Sequence, residues 1–295
     1  MYLCGMLTIR HLTADLAAAL QPLYDPREAE AIAGQVLEHL LGLTPLQRRM
    51  QAQDPVDESR LPELPAIRAR LLCQEPLQYV LGVAHFAGLE LEVTPATLIP
   101  RPETEELVEL IAREQEGRMG LQVLDVGTGT GCIPLALAGR LPGARLTAVD
   151  VSGEALAVAR RNAGRYQVAV DFQQVDILTQ MPQLSTPLDV LVSNPPYVLE
   201  SEQPFMRSNV LDYEPATALF VPDHDPLRFY RRIATLGGQL LAAGGALYFE
   251  INEQFAPETV ALLQGLGYRD TAIHADIFGK NRMVRASWVG PQPAA

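Results

Sequence analysis

The sequence predicts an α/β protein: a doubly wound, mostly parallel sheet of seven strands, preceded by a small all-helical domain. Three observations carry this. From Thr104 onward, apolar strand-like runs alternate with segments of helical periodicity. A glycine cluster follows the first of those strands and opens a helix. Residues 1–75 carry helical periodicity and no strand pattern.

The N-terminal helices are read as follows. Asp25-Pro26-Arg27-Glu28 is a helix start: a capping acid, proline at the first helical position, and glutamate three residues after the cap. Ile32, Val36, Leu37, Leu40 and Leu41 then form a stripe that ends at Gly42. A looser helix covers Thr13 to Leu20, and another runs from Pro62 or Pro65 to Leu72. Gln51 to Pro62 is polar and rich in Asp and Pro, a surface connection. Next, Gln78-Tyr79-Val80-Leu81 and Leu89-Glu90-Leu91-Glu92-Val93 have strand character, with Gly82 and Gly88 as punctuation. A hairpin within a linker over residues 76–97 is expected, dividing a helical domain (1–75) from a larger one (98–295).

In the larger domain, helix Thr104–Arg113 leads to strand Gln122–Val126, and helix Cys132–Arg140 to strand Arg145–Asp150. Helix Gly153–Gly164 precedes strand Gln167–Gln173, and strand Asp189–Ser193 follows. Helix Pro226–Leu241, strand Ala246–Ile251 and helix Pro257–Gly265 come next. The last strands, Asp270–Ala275 and Arg282–Trp288, have no helix between them, so an antiparallel edge hairpin is expected.

Composition narrows the function classes. The net charge of −12, from 23 basic and 35 acidic residues, opposes binding to a phosphate backbone, and direct nucleic-acid binding is not expected. No apolar run is long enough for a membrane span. Met1-Tyr2-Leu3-Cys4 lacks a basic n-region with an apolar core behind it, so no signal peptide is expected. Three scattered cysteines (Cys4, Cys73, Cys132) suit a reducing cytoplasm, the expected location. The five histidines form no metal-ligand pattern, and no metal is expected.

The glycine cluster reads Asp125-Val126-Gly127-Thr128-Gly129-Thr130-Gly131. Glycines let the chain turn tightly and bring backbone N–H groups against a ligand. Asp150, closing the next strand, is placed to accept hydrogen bonds from both hydroxyls of a ribose. A dinucleotide fingerprint would need a third glycine where Cys132 stands. A carboxylate at Asp125 suits a ligand carrying an ammonium group better than a pyrophosphate. S-adenosylmethionine has an amino-acid tail and no phosphate. By itself the loop leaves three readings open: this cofactor, a nicotinamide dinucleotide, or a bare glycine turn.

After the fourth strand comes Ser193-Asn194-Pro195-Pro196-Tyr197, at a carboxyl strand end where open α/β sheets place ligands. An amide nitrogen is a poor nucleophile because its lone pair is delocalised. It must be aligned with the bond to be broken, with both N–H groups aimed at acceptors. Asn194 offers a side-chain carbonyl and Pro195 a main-chain carbonyl, which would orient an –NH2 and raise electron density on nitrogen. The prolines stiffen the turn. Tyr197 offers an aromatic wall for a planar amide or base. Proximity and alignment would supply most of the barrier reduction, roughly 7–11 kcal/mol.

With these motifs the chain resembles the release factor glutamine methyltransferases (the PrmC/HemK type). The resemblance also rests on Glu75-Pro76-Leu77-Gln78-Tyr79-Val80-Leu81-Gly82, on Leu98-Ile99-Pro100-Arg101-Pro102-Glu103-Thr104-Glu105, and on the closing Asp276-x-x-Gly279-x-x-Arg282. It covers nearly the whole chain and is weakest over the first 70 residues. It implies a Rossmann-like class I methyltransferase fold. The implied activity is methylation of the side-chain amide nitrogen (N5) of glutamine in the GGQ motif of class I peptide chain release factors. Asp125, Gly127, Thr128, Gly129, Thr130, Gly131, Asp150 and Asn194 would bind S-adenosylmethionine, with Asp176 and Ile177 near the adenine. Asn194, Pro195, Pro196 and Tyr197 would hold the glutamine, with Asn194, Pro195 and Tyr197 catalytic. Arg101 would sit over the pocket, or else pair with Glu103 or Glu105 as a structural ion pair. The helical domain would dock the release factor. Glu250 reads as a polar wall and His224 as a loop residue. Adenine amino methylation of nucleic acid is the competing reading within methyltransferases; a nucleotide-dependent oxidoreductase is the competing reading outside them.

Overall fold

The computed structural model describes residues 7–57, 59 and 61–290. The chain divides into two compact units. One runs through Gly82 and takes in Ser208–Tyr213; the other comprises Val83–Arg207 and the chain from Glu214 onward. Cys4 and the N-terminal stretch expected to lack a signal peptide lie outside the described residues, while Cys73 and Cys132 are free thiols.

The first unit is helical. It contains α1 (Ile9–Leu20), α2 (Pro26–Leu41), α3 (Pro45–Met50), α4 (Leu64–Leu72) and α5 (Leu77–Leu81). Asp25 caps α2 by accepting from the Arg27 N–H, and Gly42 ends it in the left-handed conformation at φ 66°. Ile9, Leu16, Leu20, Ile32, Val36, Leu37, Ile67 and Leu71 fill the core between the helices. The short α5 corrects the strand expected over Gln78–Leu81. Pro76 fixes the entry, Leu77, Val80 and Leu81 share one face against the core, and Gly82 turns the chain at φ 72°. Four apolar-rich residues fit either period, and packing chose the helix. Arg70 of α4 confirms that choice chemically, donating to the Tyr79 and Val80 carbonyls that the helix end leaves open.

In the second unit, a hairpin of β1 (Val83–Phe86) and β2 (Leu89–Glu92) is shorter and later than the linker read from the sequence. There follow α6 (Pro102–Glu114), β3 (Gln122–Val126), α7 (Cys132–Ala138), β4 (Arg145–Asp150), α8 (Gly153–Tyr166), β5 (Val170–Gln174) and β6 (Leu188–Ser193). The strand expected from Gln167 starts at Val170, because Gln167 closes α8 in the left-handed conformation at φ 55°. Then come β7 (Val198–Leu199), β8 (Phe220–Val221), α10 (Arg228–Leu240), β9 (Leu241–Glu250), α11 (Ala256–Gly265), β10 (Arg269–Ala275) and β11 (Asn281–Ser287); the short helix α9 (Ser208–Leu211), between β7 and β8 in the chain, belongs to the first unit.

The main sheet has the order β10-β11-β9-β6-β3-β4-β5. Pairings are parallel from β5 through β9, and antiparallel where β11 meets β9 and β10. This is the seven-stranded class I methyltransferase arrangement, with helices over both faces. From β3 the chain proceeds outward through β4 and β5, then returns to β6 on the other side of β3. The β3–β6 boundary is therefore the switch point, where the two strand ends diverge and leave a crevice.

Candidate active site

The glycine loop leaves β3 at this boundary. Gly127 (φ 77°) turns the chain so that the Gly127 and Thr128 N–H groups both donate to the Val149 carbonyl, at 2.8 and 3.0 Å. Asp150 braces the turn: Oδ2 accepts from the Gly129 N–H and Oδ1 from the Ser152 N–H, each at 2.9 Å. Burial raises the Asp150 carboxyl above its ordinary value, against the pull of these N–H donors. Gly131 (φ 80°) begins α7, and a Cβ there would lie 3.3 Å from the Ala159 Cβ, so α8 packs directly on the loop. Asn162 of α8 locks that contact. Its amide donates to the Thr130 and Glu92 carbonyls at 3.0 Å each and accepts from the Glu92 N–H at 2.7 Å.

A cavity of about 350 Å³ opens beside this loop, lined by Gly127, Gly129, Asp150, Asp176, Ile177, Asn194, Pro195 and Pro196 among others. Asp176 also shapes its own loop, accepting from the Leu178 N–H and the Thr179 hydroxyl. The lining carries the acids Asp150 and Asp176 and one base, Arg228, which favours a cationic ligand without phosphates. Asp125, Thr128, Thr130 and Gly131 do not line this cavity. Asp125 is fully buried, and neither its oxygens nor the Thr128 and Thr130 hydroxyls have a hydrogen-bond partner among the described residues. Burial pushes the Asp125 carboxyl up to about 7; the nearby Thr128 hydroxyl tempers this and Asp150 adds to it. These polar groups lie buried beneath the glycine turn, apart from the cavity.

The Asn194–Tyr197 turn leaves β6 across the crevice. The Ser193 hydroxyl donates to the Val126 carbonyl at 2.7 Å, and a Cβ on Gly127 would stand 3.9 Å from the Asn194 carbonyl oxygen. The two loops are thus held edge to edge. Asn194 Nδ2 donates to Thr104 Oγ1 at 3.1 Å, while Asn194 Oδ1 and the Pro195 carbonyl meet no donor among the described residues. Both residues face the cavity. Tyr197, expected as an aromatic wall, does not line it. Its hydroxyl donates to Glu250 Oε1 at 3.0 Å, and burial beside that carboxylate raises it well above its ordinary value. The ring packs inward because Glu250, nearly fully buried, needs donors.

Arg101 is also repositioned. It pairs with Glu214 at 2.6 Å and does not line the cavity. Glu103 and Glu105 are half-exposed and sit in the first turn of α6, where the helix dipole already favours them. The buried Glu214 has the greater need of a cation, and its other oxygen accepts from the Ile99 N–H. The sequence reading missed Thr104, Asn162, Glu214 and Asn252 as site-building residues. Asn252 donates to the Tyr197 carbonyl at 3.2 Å. Only the strand-end position of Asn252, and the placement of Thr104 just before a strong helix, hinted at such a role.

Comparison with known proteins bears on this geometry. Residues 103–211 match the model of the methyltransferase small domain, and residues 10–82 that of the PrmC N-terminal domain. A release factor glutamine methyltransferase of Bacteroides thetaiotaomicron is 44% identical over 279 residues, covering 95% of this chain and all of that one. The chain belongs to the release factor glutamine methyltransferase family. Another relative so named, from Flavobacterium psychrophilum, is 40% identical, with 95% and 99% coverage. A crystal structure of a methyltransferase from Pyrococcus furiosus is 21% identical with a TM-score of 0.51, covering 76% of this chain and 98% of its own, and shares the fold. Like its family, this release factor glutamine methyltransferase family member is an S-adenosylmethionine-dependent enzyme. The acidic, phosphate-averse lining fits that cofactor. None of its helices among the described residues is long and apolar enough to cross a membrane.

Proposed function

We propose that this enzyme methylates the side-chain amide nitrogen (N5) of the glutamine in the GGQ motif of class I peptide chain release factors. The observation that carries this reading is the pair of donor-free oxygens, Asn194 Oδ1 and the Pro195 carbonyl, on a proline-stiffened turn beside the cofactor cavity. A carboxamide –NH2 has two N–H groups and needs two acceptors. Held this way, the amide is fixed in one plane, and the nitrogen lone pair stands perpendicular to that plane.

Bound S-adenosylmethionine supplies a methyl group on a positively charged sulfur. The protein's part is arrangement. Asp150 and the backbone of Gly127 to Gly131 would hold the nucleoside and amino-acid portions, Asp176 and Ile177 would flank the base, and the buried Asp125 would balance the ammonium from a distance. Asn194 and Pro195 draw density onto the amide nitrogen as it forms its bond to the methyl carbon, while the carbon–sulfur bond breaks with its electrons left on sulfur. The nitrogen then releases one proton to water, which restores a neutral amide. Pro196 closes the turn, and Arg101 acts through Glu214 on the segment leading to Pro215 of the lining. The helical unit is the surface that docks the release factor.

The test is the intact mass of a bacterial-type release factor before and after incubation with the enzyme and S-adenosylmethionine. A gain of one methylene, mapped to the GGQ glutamine, is expected. Label transferred to nucleic acid with none on the release factor would reject the assignment.

A further inference from the structure

The two free acceptors exist only because the Asn194 amide points one way. An asparagine side chain can rotate to exchange its oxygen and nitrogen, at little steric cost. If Asn194 turned over, its –NH2 would face the substrate –NH2, donor against donor. Something must therefore set its polarity, and the structure contains a chain of hydrogen bonds that does so.

Glu250 ends β9 and is 1% exposed. Its two oxygens accept from two hydroxyls: Oε2 from Thr104 at 2.6 Å, and Oε1 from Tyr197 at 3.0 Å. Burial raises the Glu250 carboxyl, and the Thr104 and Tyr197 hydroxyls that donate to it pull the other way; as a carboxylate it only accepts, so each hydroxyl spends its single proton on it. The Thr104 oxygen, 2% exposed, then has only lone pairs to offer its remaining neighbour. That neighbour is Asn194, 3.1 Å away, which must present Nδ2. The polarity passes from a buried charge, through one hydroxyl, to the amide. Oδ1 is left for the substrate.

We propose that Glu250 and Thr104 are positioning residues that fix the polarity of Asn194, and so make the site selective for a carboxamide over a carboxylate of the same shape. This rests on Asn194 addressing the acceptor nitrogen. A glutamate side chain in the pocket would place oxygen against both Asn194 Oδ1 and the Pro195 carbonyl. The same buried carboxylate fixes Tyr197, so both ends of the proline turn, Asn194 and Tyr197, are referred to one anchor. Neither Glu250 nor Thr104 touches the reacting atoms in this scheme.

The experiment compares Thr104→Val, which keeps the shape and removes the hydroxyl, with Thr104→Ser, which restores it. Turnover is measured on a release factor carrying glutamine at the acceptor position. Binding is measured for that factor and for one carrying glutamate there. In Thr104→Val, kcat falls by roughly 10–100-fold, as for loss of one preorganised hydrogen bond at a reacting group, with cofactor affinity unchanged. The preference for the glutamine factor over the glutamate factor narrows, because Asn194 is free to turn its –NH2 toward a carboxylate. Thr104→Ser keeps kcat within about threefold and retains the preference. A purely structural role for Thr104 would lower stability without moving the glutamine-to-glutamate ratio, and an unchanged ratio in Thr104→Val overturns the proposal. Asn194→Ala, run alongside, separates two failures. If it is inactive while Thr104→Val behaves as the parent, the polarity relay is wrong. If Asn194→Ala is itself active, the reading of the site on which the relay rests is wrong.

Discussion

The Ser193 hydroxyl donates to the Val126 carbonyl at 2.7 Å, and the bond is buried. Ser193 is the last residue of β6 and Val126 the last of β3, so one hydrogen bond joins the turn that carries Asn194 to the loop that carries the glycines. In the proposed reaction, donor and acceptor of the methyl group would thereby share a common frame, which is what an alignment-driven reaction requires.

Removing that bond in Ser193→Ala leaves the buried Val126 carbonyl without its side-chain donor. A loss of about 1–3 kcal/mol in unfolding free energy is expected. Turnover should also drop several-fold, with the deficit in kcat rather than in cofactor affinity. Parent-like kcat at a temperature where the variant is fully folded would show that the two loops need no such tie.

In the proposed scheme, Asn194→Ala removes one of the two acceptors for the substrate amide. Turnover in a single-turnover assay is expected to fall by at least roughly a hundredfold, the scale for one lost preorganised group. The cofactor dissociation constant, measured by calorimetry, should change by less than about threefold, since the variant removes an interaction made mainly with the methyl acceptor.

Asp125→Asn tests the buried carboxyl through pH. Its folded value is up to about 7, against an ordinary 3.8. Between those limits the folded chain holds a proton that the unfolded chain has released. The folded state thus binds more protons, and stability of the cofactor-free enzyme falls as pH rises through the window. The amide variant lacks this titration. Its melting temperature relative to the parent should therefore be higher at pH 8 than at pH 5, by an amount worth up to about 2–3 kcal/mol. S-adenosylmethionine should in turn stabilise the parent more than the variant. An equal difference at both pH values would mean that the Asp125 charge is already compensated.

Arg101→Ala separates structural from catalytic roles. It strips the buried Glu214 of its cation and leaves that carboxylate the Ile99 N–H. Because Arg101 is partly exposed, a destabilisation of roughly 2 kcal/mol is expected, below the range for fully buried pairs. Activity at low temperature, where the variant remains folded, should persist. A catalytic defect far exceeding the loss of folded enzyme would return Arg101 to the reaction.

The legible part of this protein was whatever repeats or clusters locally. The cap Asp25-Pro26 and the closing Gly42 bounded α2 to the residue, because capping chemistry involves near neighbours only. Strand–helix alternation was enough for a seven-stranded sheet, and the motif after β6 was found by its residue types at the carboxyl end of a strand. Segments of four or five residues were not legible in this way. Gln78–Leu81 reads as a strand until Arg70 and the helical core are in place around it.

What the sequence by itself determined was the class of fold, the positions of the two ligand loops and the residue types available to them. These follow from periodicity and from backbone requirements that act over a few residues. Only the tertiary structure decided how the polar groups pair. Thr104 and Glu250 are 146 residues apart, and Arg101 and Glu214 are 113 apart. A buried charge takes the partner that folding brings to it, and in one dimension Glu103 and Glu105 stood nearest to Arg101. That choice turned Arg101 away from the cavity, turned Tyr197 inward, and left Asn194 with its oxygen free.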